Sequence, residues 1–129
     1  MKQKEVTVWK PQKWLVRRHP QSLPLIRTLL LFLLKRNPNS SGYRLISLVK
    51  EFTADQISLK TGTLYPELKK MVEEGILIQD EQVTGKRIAY LYCLTNKGEE
   101  ELLRLISAIE TKKVVLLDPL IKEYSKDKS

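Results

Sequence analysis

Residues 61–78 read Thr61-Gly62-Thr63-Leu64-Tyr65-Pro66-Glu67-Leu68-Lys69-Lys70-Met71-Val72-Glu73-Glu74-Gly75-Ile76-Leu77-Ile78, and the period of the apolar residues changes inside this stretch. Leu64, Leu68, Met71 and Val72 stand at i, i+4, i+7 and i+8, a single helical stripe. The spacing predicts a helix over 63–74, after a turn at Lys60-Thr61-Gly62-Thr63, with Gly75 as its end. On the face opposite the stripe lie Thr63, Pro66, Lys69 and Lys70, with Tyr65 on the flank. Small, aromatic and basic side chains at a helix N-terminus, where unpaired amides favour anions, suit a helix entering a nucleic-acid groove. The same residues also suit an ordinary solvated face, so this helix leaves both readings open.

Beyond Gly75 the pattern becomes that of strands. Ile76, Leu77 and Ile78 start an apolar run, Asp80 to Lys86 is polar with Gly85 in a turn, and Ile88, Tyr90, Tyr92 and Leu94 alternate. This predicts a two-stranded hairpin with a basic tip at Lys86 and Arg87. Upstream, Ser22-Leu23-Pro24 reads as a helix start, and Lys35-Arg36-Asn37-Pro38 as a basic last turn followed by a stop. Asn39-Ser40-Ser41-Gly42 is a turn cluster, and Tyr43, Leu45, Ile46, Leu48, Val49 and Phe52 suit a second amphipathic helix at about 41–51. Three helices and then a hairpin with a basic tip is the order of a winged helix. The fold expected is mainly α with a small β-hairpin wing, a winged helix-turn-helix.

After Thr95 the helical period returns, with Thr95 or Asn96 as cap and Leu102, Leu105, Ile106 and Ile109 as its stripe. Asp118-Pro119 is expected to bend or restart this helix, and Ser125 to Ser129 to fray. The first helix is apolar on more than one side, and the last has no further core to cover. Both point to a second subunit, with Leu29, Phe32, Leu33, Leu102, Leu105, Ile106, Ile109 and Leu116 at the contact. Three parts result: a basic arm over 1–20, a winged-helix domain over 21–95, and a C-terminal dimerisation helix and tail over 96–129.

Composition supports an anionic partner. The 129 residues hold 23 Lys and Arg against 15 Asp and Glu, a net +8. Residues 1–20 carry six basic side chains and one acid, residues 21–60 six and two, and residues 61–100 five and seven, so the excess lies in the first half. Lys10, Lys13, Arg17 and Arg18 interleave with Trp9 and Trp14 in an arm that could lie on phosphates or pack its rings on the domain. The longest apolar stretch, Leu23 to Leu34, contains Arg27 and is well short of the roughly 20 residues that span a bilayer, so no membrane partner is expected. A single cysteine, Cys93, and a single histidine, His19, argue against a disulfide framework and against zinc. The five glycines match no nucleotide loop, and neither Cys93 nor His19 has a catalytic setting. The expectation is a cytoplasmic binding protein, nucleoid-associated, with no enzymatic activity, catalytic residue, metal or cofactor.

Four stretches in order carry a resemblance. Residues 61–78 resemble the recognition-helix region of PadR-like transcriptional regulators, with its G-x-L-Y-P-x-L and E-x-G-[LI]-[LI] pattern. Ser41-Gly42-Tyr43-Arg44-Leu45 resembles the family's H-G-Y-E-L second helix, Gly85-Lys86-Arg87 with Tyr90 and Tyr92 its wing, and Leu94-Thr95-Asn96-Lys97-Gly98 with Leu102 its L-T-x-x-G-x-x-x-L junction. Ser41 and Arg44 replace the usual His and Glu, which makes the second helix more basic. The resemblance implies a homodimeric, sequence-specific regulator of double-stranded DNA, usually a repressor at a pseudo-palindromic operator, with some members released by small hydrophobic or aromatic effectors. The 63–74 helix would enter the major groove and the 79–88 wing would meet the backbone or minor groove. The implied DNA face comprises Tyr43, Thr61, Thr63, Tyr65, Lys69, Lys86 and Arg87, to which Ser41, Arg44, Lys60 and Lys70 are added as polar or basic neighbours. An effector would sit between the first and last helices, near Trp9 or Trp14. The alternative is an architectural or non-sequence-specific nucleic-acid-binding winged helix.

Overall fold

The computed structural model describes residues 24–128. Its chain falls into two units, Leu25–Arg104 and the segment from Leu105 onward. In the first unit, α1 (Leu25–Arg36) leads to β1 (Ser40–Ser41), α2 (Gly42–Phe52) and α3 (Thr61–Glu73). The hairpin β2 (Leu77–Thr84) and β3 (Arg87–Leu94) then precedes α4 (Asn96–Lys112), which continues into the second unit.

Leu30, Leu31 and Leu34 of α1, Leu45 and Val49 of α2, and Leu64, Leu68 and Met71 of α3 are buried, with Ile76, Leu77, Tyr92 and Leu102. Each such aliphatic side chain contributes about 1.5–3 kcal/mol by leaving water. Leu33, Leu102 and Leu105, expected at a subunit contact, are buried within the single chain. Of the remaining residues expected there, Leu29, Phe32 and Ile109 are half-buried, and Ile106 and Leu116 are exposed.

The helix ends follow side-chain chemistry. Ser41 caps α2 by accepting the Arg44 amide at 3.1 Å. Gly75, at φ 77°, ends α3: its amide donates to Val72 at 3.0 Å and the Ile76 amide to Met71 at 2.9 Å, the paired bonds of a Schellman motif. Thr95 then joins α4 to this corner. Its amide donates to the Ile76 carbonyl at 3.0 Å, and its hydroxyl donates to the Gly75 carbonyl at 2.7 Å while accepting the Gly98 amide at 3.0 Å.

Three elements differ from the sequence expectation. Thr61 and Gly62 form the first turn of α3, since the Thr63 and Leu64 amides both donate to the Lys60 carbonyl. The hairpin strands extend through the polar stretch to Thr84 and Arg87, leaving Gly85-Lys86 as a two-residue turn with φ 62° at Gly85. The outer wing has no buried face, so its strands need no apolar alternation. A third strand, β1, pairs Ser40 with Tyr92 and Ser41 with Leu91 and sets the sheet order β1-β3-β2.

In the second unit, the helical segment widens into a π-helical turn over Lys113–Leu117 and resumes as α5 (Asp118–Lys128). Pro119 has no amide to give Val115 and crowds its carbonyl, which accounts for the widening. The helix reaches Lys128, where fraying from Ser125 was expected; α5 holds Ser125 through a hydroxyl bond to the Ile121 carbonyl at 2.9 Å.

A Cβ at Gly98 would stand 2.3 Å from the Ile76 carbonyl oxygen, a backbone atom that cannot step aside, whereas one at Gly62 would meet nothing within 4 Å. Urea denaturation is expected to show Gly98→Ala losing about 1–3 kcal/mol. Gly62→Ala is expected to gain up to about 1 kcal/mol from its better helix propensity.

Candidate nucleic-acid interface

With Leu64, Leu68 and Met71 turned into the core, α3 exposes Thr61, Gly62, Thr63, Pro66, Lys69 and Lys70, preceded by exposed Lys60. Tyr43 at the start of α2 is 79% exposed and Arg44 beside it is also exposed, while Ser41 is half-buried in its capping role. Lys86 and Arg87 are exposed at the wing tip. The arm residues Lys10, Lys13, Arg17 and Arg18, with Trp9 and Trp14, lie outside the described residues.

Two contacts orient α3. Tyr65 lies across the start of α2: a Cβ on Gly42 would fall 2.7 Å from the Tyr65 hydroxyl oxygen. Only glycine lets the ring approach so closely, and Tyr65 nevertheless remains 43% exposed. The ring therefore packs on Gly42 while part of the side chain stays in contact with solvent. Tyr65 and Tyr90 also neighbour Tyr92, whose phenol is pushed above its ordinary value, first by burial and then by these two groups.

On the flank facing α1 stands Arg27, whose side chain keeps 10% exposure. Its Nε donates to Glu67 Oε2 at 2.6 Å, and Nη1 and Nη2 donate to the two oxygens of Glu74 at 2.8 and 3.3 Å. Glu101 of α4 stands 4.0 Å from Nη1. Burial alone opposes the guanidinium charge, but the hydrogen bonds to Glu74 and Glu67 outweigh it and push the Arg27 pKa above its usual value. In the sequence Arg27 reads only as a charge inside an apolar run. The available signal was a lone cation inside that run together with Glu67 and Glu74 two turns apart on one helix flank.

The family model described as "Transcriptional regulator PadR-like family" matches residues 30–104, which contain α2, α3 and the wing. The chain belongs to the PadR-like family. The negative transcriptional regulator PadR of Bacillus subtilis (strain 168) is 36% identical over 70 residues, covering 54% of this chain and 38% of that protein. The chain thus spans well under half the length of this PadR relative. The solved structure of Bacillus subtilis PadR in complex with operator DNA is similar at TM-score 0.59 and 31% identity, covering 66% of this chain and 48% of that one. A transcriptional regulator from Clostridium thermocellum shares the fold at TM-score 0.68 and 23% identity, over 74% of this chain and 92% of that one.

Replacing Arg27 by Met would remove the guanidinium whose hydrogen bonds Glu67 and Glu74 both accept. Urea denaturation is expected to show a loss of about 2–3 kcal/mol, below the ~3–5 kcal/mol of fully buried pairs because Glu74 keeps 38% exposure. In an alkaline absorbance titration, one phenol should ionise above the ordinary value of 10.0 and vanish from the curve in Tyr92→Phe. With the folded pKa raised, its stabilising effect is present below that value and lost as pH climbs through the folded one.

Proposed function

We propose that this PadR-like chain binds double-stranded DNA in a sequence-selective way and acts as a repressor. The observation that carries the proposal is α3: its apolar stripe and Arg27-bound flank are engaged, and its open N-terminal half offers hydroxyls, lysines and helix-start amides. Thr61, Thr63 and Lys69 are assigned to base edges and nearby phosphates. Tyr43, Tyr65, Arg44, Lys60 and Lys70, with Lys86 and Arg87 of the wing, are assigned to the backbone. Ser41 serves the site by capping the helix that carries Tyr43 and Arg44. The solved complex of Bacillus subtilis PadR with operator DNA supports DNA as the partner.

The working form in this reading is a homodimer. Leu103, Ile106, Leu116, Leu120, Ile121 and Tyr124 offer exposed apolar surface along the C-terminal helices. A two-fold pair would place recognition helices about one DNA turn apart and require a pseudo-palindromic operator. Binding, not catalysis, is the activity proposed. Among the described residues, no helix is long and apolar enough to cross a membrane.

Selection from a random duplex library tests the proposal. The full chain should enrich one pseudo-palindromic pattern, and Thr63→Ala should relax preference at one position in each half-site, by about 1–3 kcal/mol. Lys86→Gln combined with Arg87→Gln should weaken all sequences alike and lower the salt slope of the dimer by about 4, two contacts from each wing. Retention of duplex DNA with no pattern enriched at any salt concentration would instead support the non-selective binder.

A further inference from the structure

A cavity of about 320 Å³ opens between the C-terminal ends of α1 and α2, bounded by Leu33, Arg36, Asn37, Leu48, Glu51 and Phe52. Its apolar floor is Leu33 and Leu48, both buried. Its wall is Phe52, held against Phe32 with ring centroids 5.4 Å apart while 56% of the residue stays exposed. Arg36 is steadied over the Phe32 ring at 5.4 Å. Among the described residues it has no carboxylate partner, and Glu51, which bounds the same cavity, has no cation. Asn37 spends its amide nitrogen on the Leu33 carbonyl at 2.9 Å, which orients its side chain and keeps its oxygen available as an acceptor.

We infer that this cavity is a binding site for a small amphoteric molecule with a planar apolar body, of the aromatic α-amino acid class. The exposed part of the Phe52 side chain suits an aromatic ring. Arg36 offers donors to a carboxylate, and Glu51 with the Asn37 oxygen offers acceptors to an ammonium group. A simple anion would meet Glu51, a simple cation would meet Arg36, and a hydrocarbon would desolvate both without replacing their hydrogen bonds. The volume falls at the small end of ligand pockets, roughly 300–1,000 Å³, and so matches a molecule of this size. Phe52 is also the last residue of α2, just before Ala54 and Asp55, which hold φ values of 50° and 64°. Left-handed backbone at two successive non-glycine residues is costly, so the site adjoins a strained connection between α2 and α3.

Amide-resolved NMR titration of the full chain tests the inference without DNA and therefore independently of the DNA-binding proposal. The probes are L-phenylalanine, 3-phenylpropionate, which lacks the amine, and phenethylamine, which lacks the carboxylate. L-phenylalanine should saturate shifts at Leu33–Asn37 and Leu48–Phe52, with each truncated probe about tenfold weaker or more. Arg36→Gln should erase the preference over phenethylamine alone, and Glu51→Gln the preference over 3-phenylpropionate alone, a crossed pattern that a folding defect does not produce. No saturable shift at these amides with ligand on the order of 10 mM, or equal binding of all three probes, would overturn it.

Discussion

The fork of Arg27 on Glu67 and Glu74 is the interaction on which the presentation of α3 depends. An apolar stripe alone leaves a helix free to roll a few degrees or slide by a turn against its neighbour, because dispersion contacts are non-directional. A planar guanidinium reaching two carboxylates two turns apart removes that freedom, and a lysine would supply only one of the two directions. Buried ion pairs contribute little net stability but penalise misalignment heavily, since any slip leaves a charge without a partner. The face bearing Thr63, Lys69 and Lys70 is therefore aimed by the face opposite the solvent.

This arrangement explains a paradox of charge. Residues 61–100 are net acidic, with seven acids against five basic residues, yet they contain the helix and wing assigned to a polyanion. Glu67 and Glu74 are engaged with Arg27, and Glu99 is engaged with Lys35 at 2.6 Å. Lys60, Lys69, Lys70, Lys86 and Arg87 point to solvent. Charge along the chain and charge on the surface differ because folding pairs one sign internally.

The sequence made α1 to α4 legible because each has a buried stripe, and α2 and α3 end within a residue or two of their expected limits. The helix end at Gly75 was equally plain, and Thr95 was one of two caps expected for α4. What escaped was structure without a period. β1 is two residues long, too short to alternate, and the outer wing is exposed on both faces, so Asp80 to Lys86 read as loop. The site residues on α3 were visible as the complement of its stripe. The contacts that aim them, Arg27 to Glu67 and Glu74 and Tyr65 over Gly42, join positions about 20 to 47 residues apart, and no local spacing encodes such pairs.

The central claim is that the open N-terminal half of α3, together with the wing tip, is the surface that meets DNA. Amide chemical shifts of the full chain, followed while a selected duplex is added, test it most directly. The largest changes are expected at Thr61, Gly62 and Thr63 and at Gly85 to Arg87, with Glu100 and Arg104 on α4 unmoved. Perturbations centred on α4, with Thr61 to Thr63 silent, would contradict it.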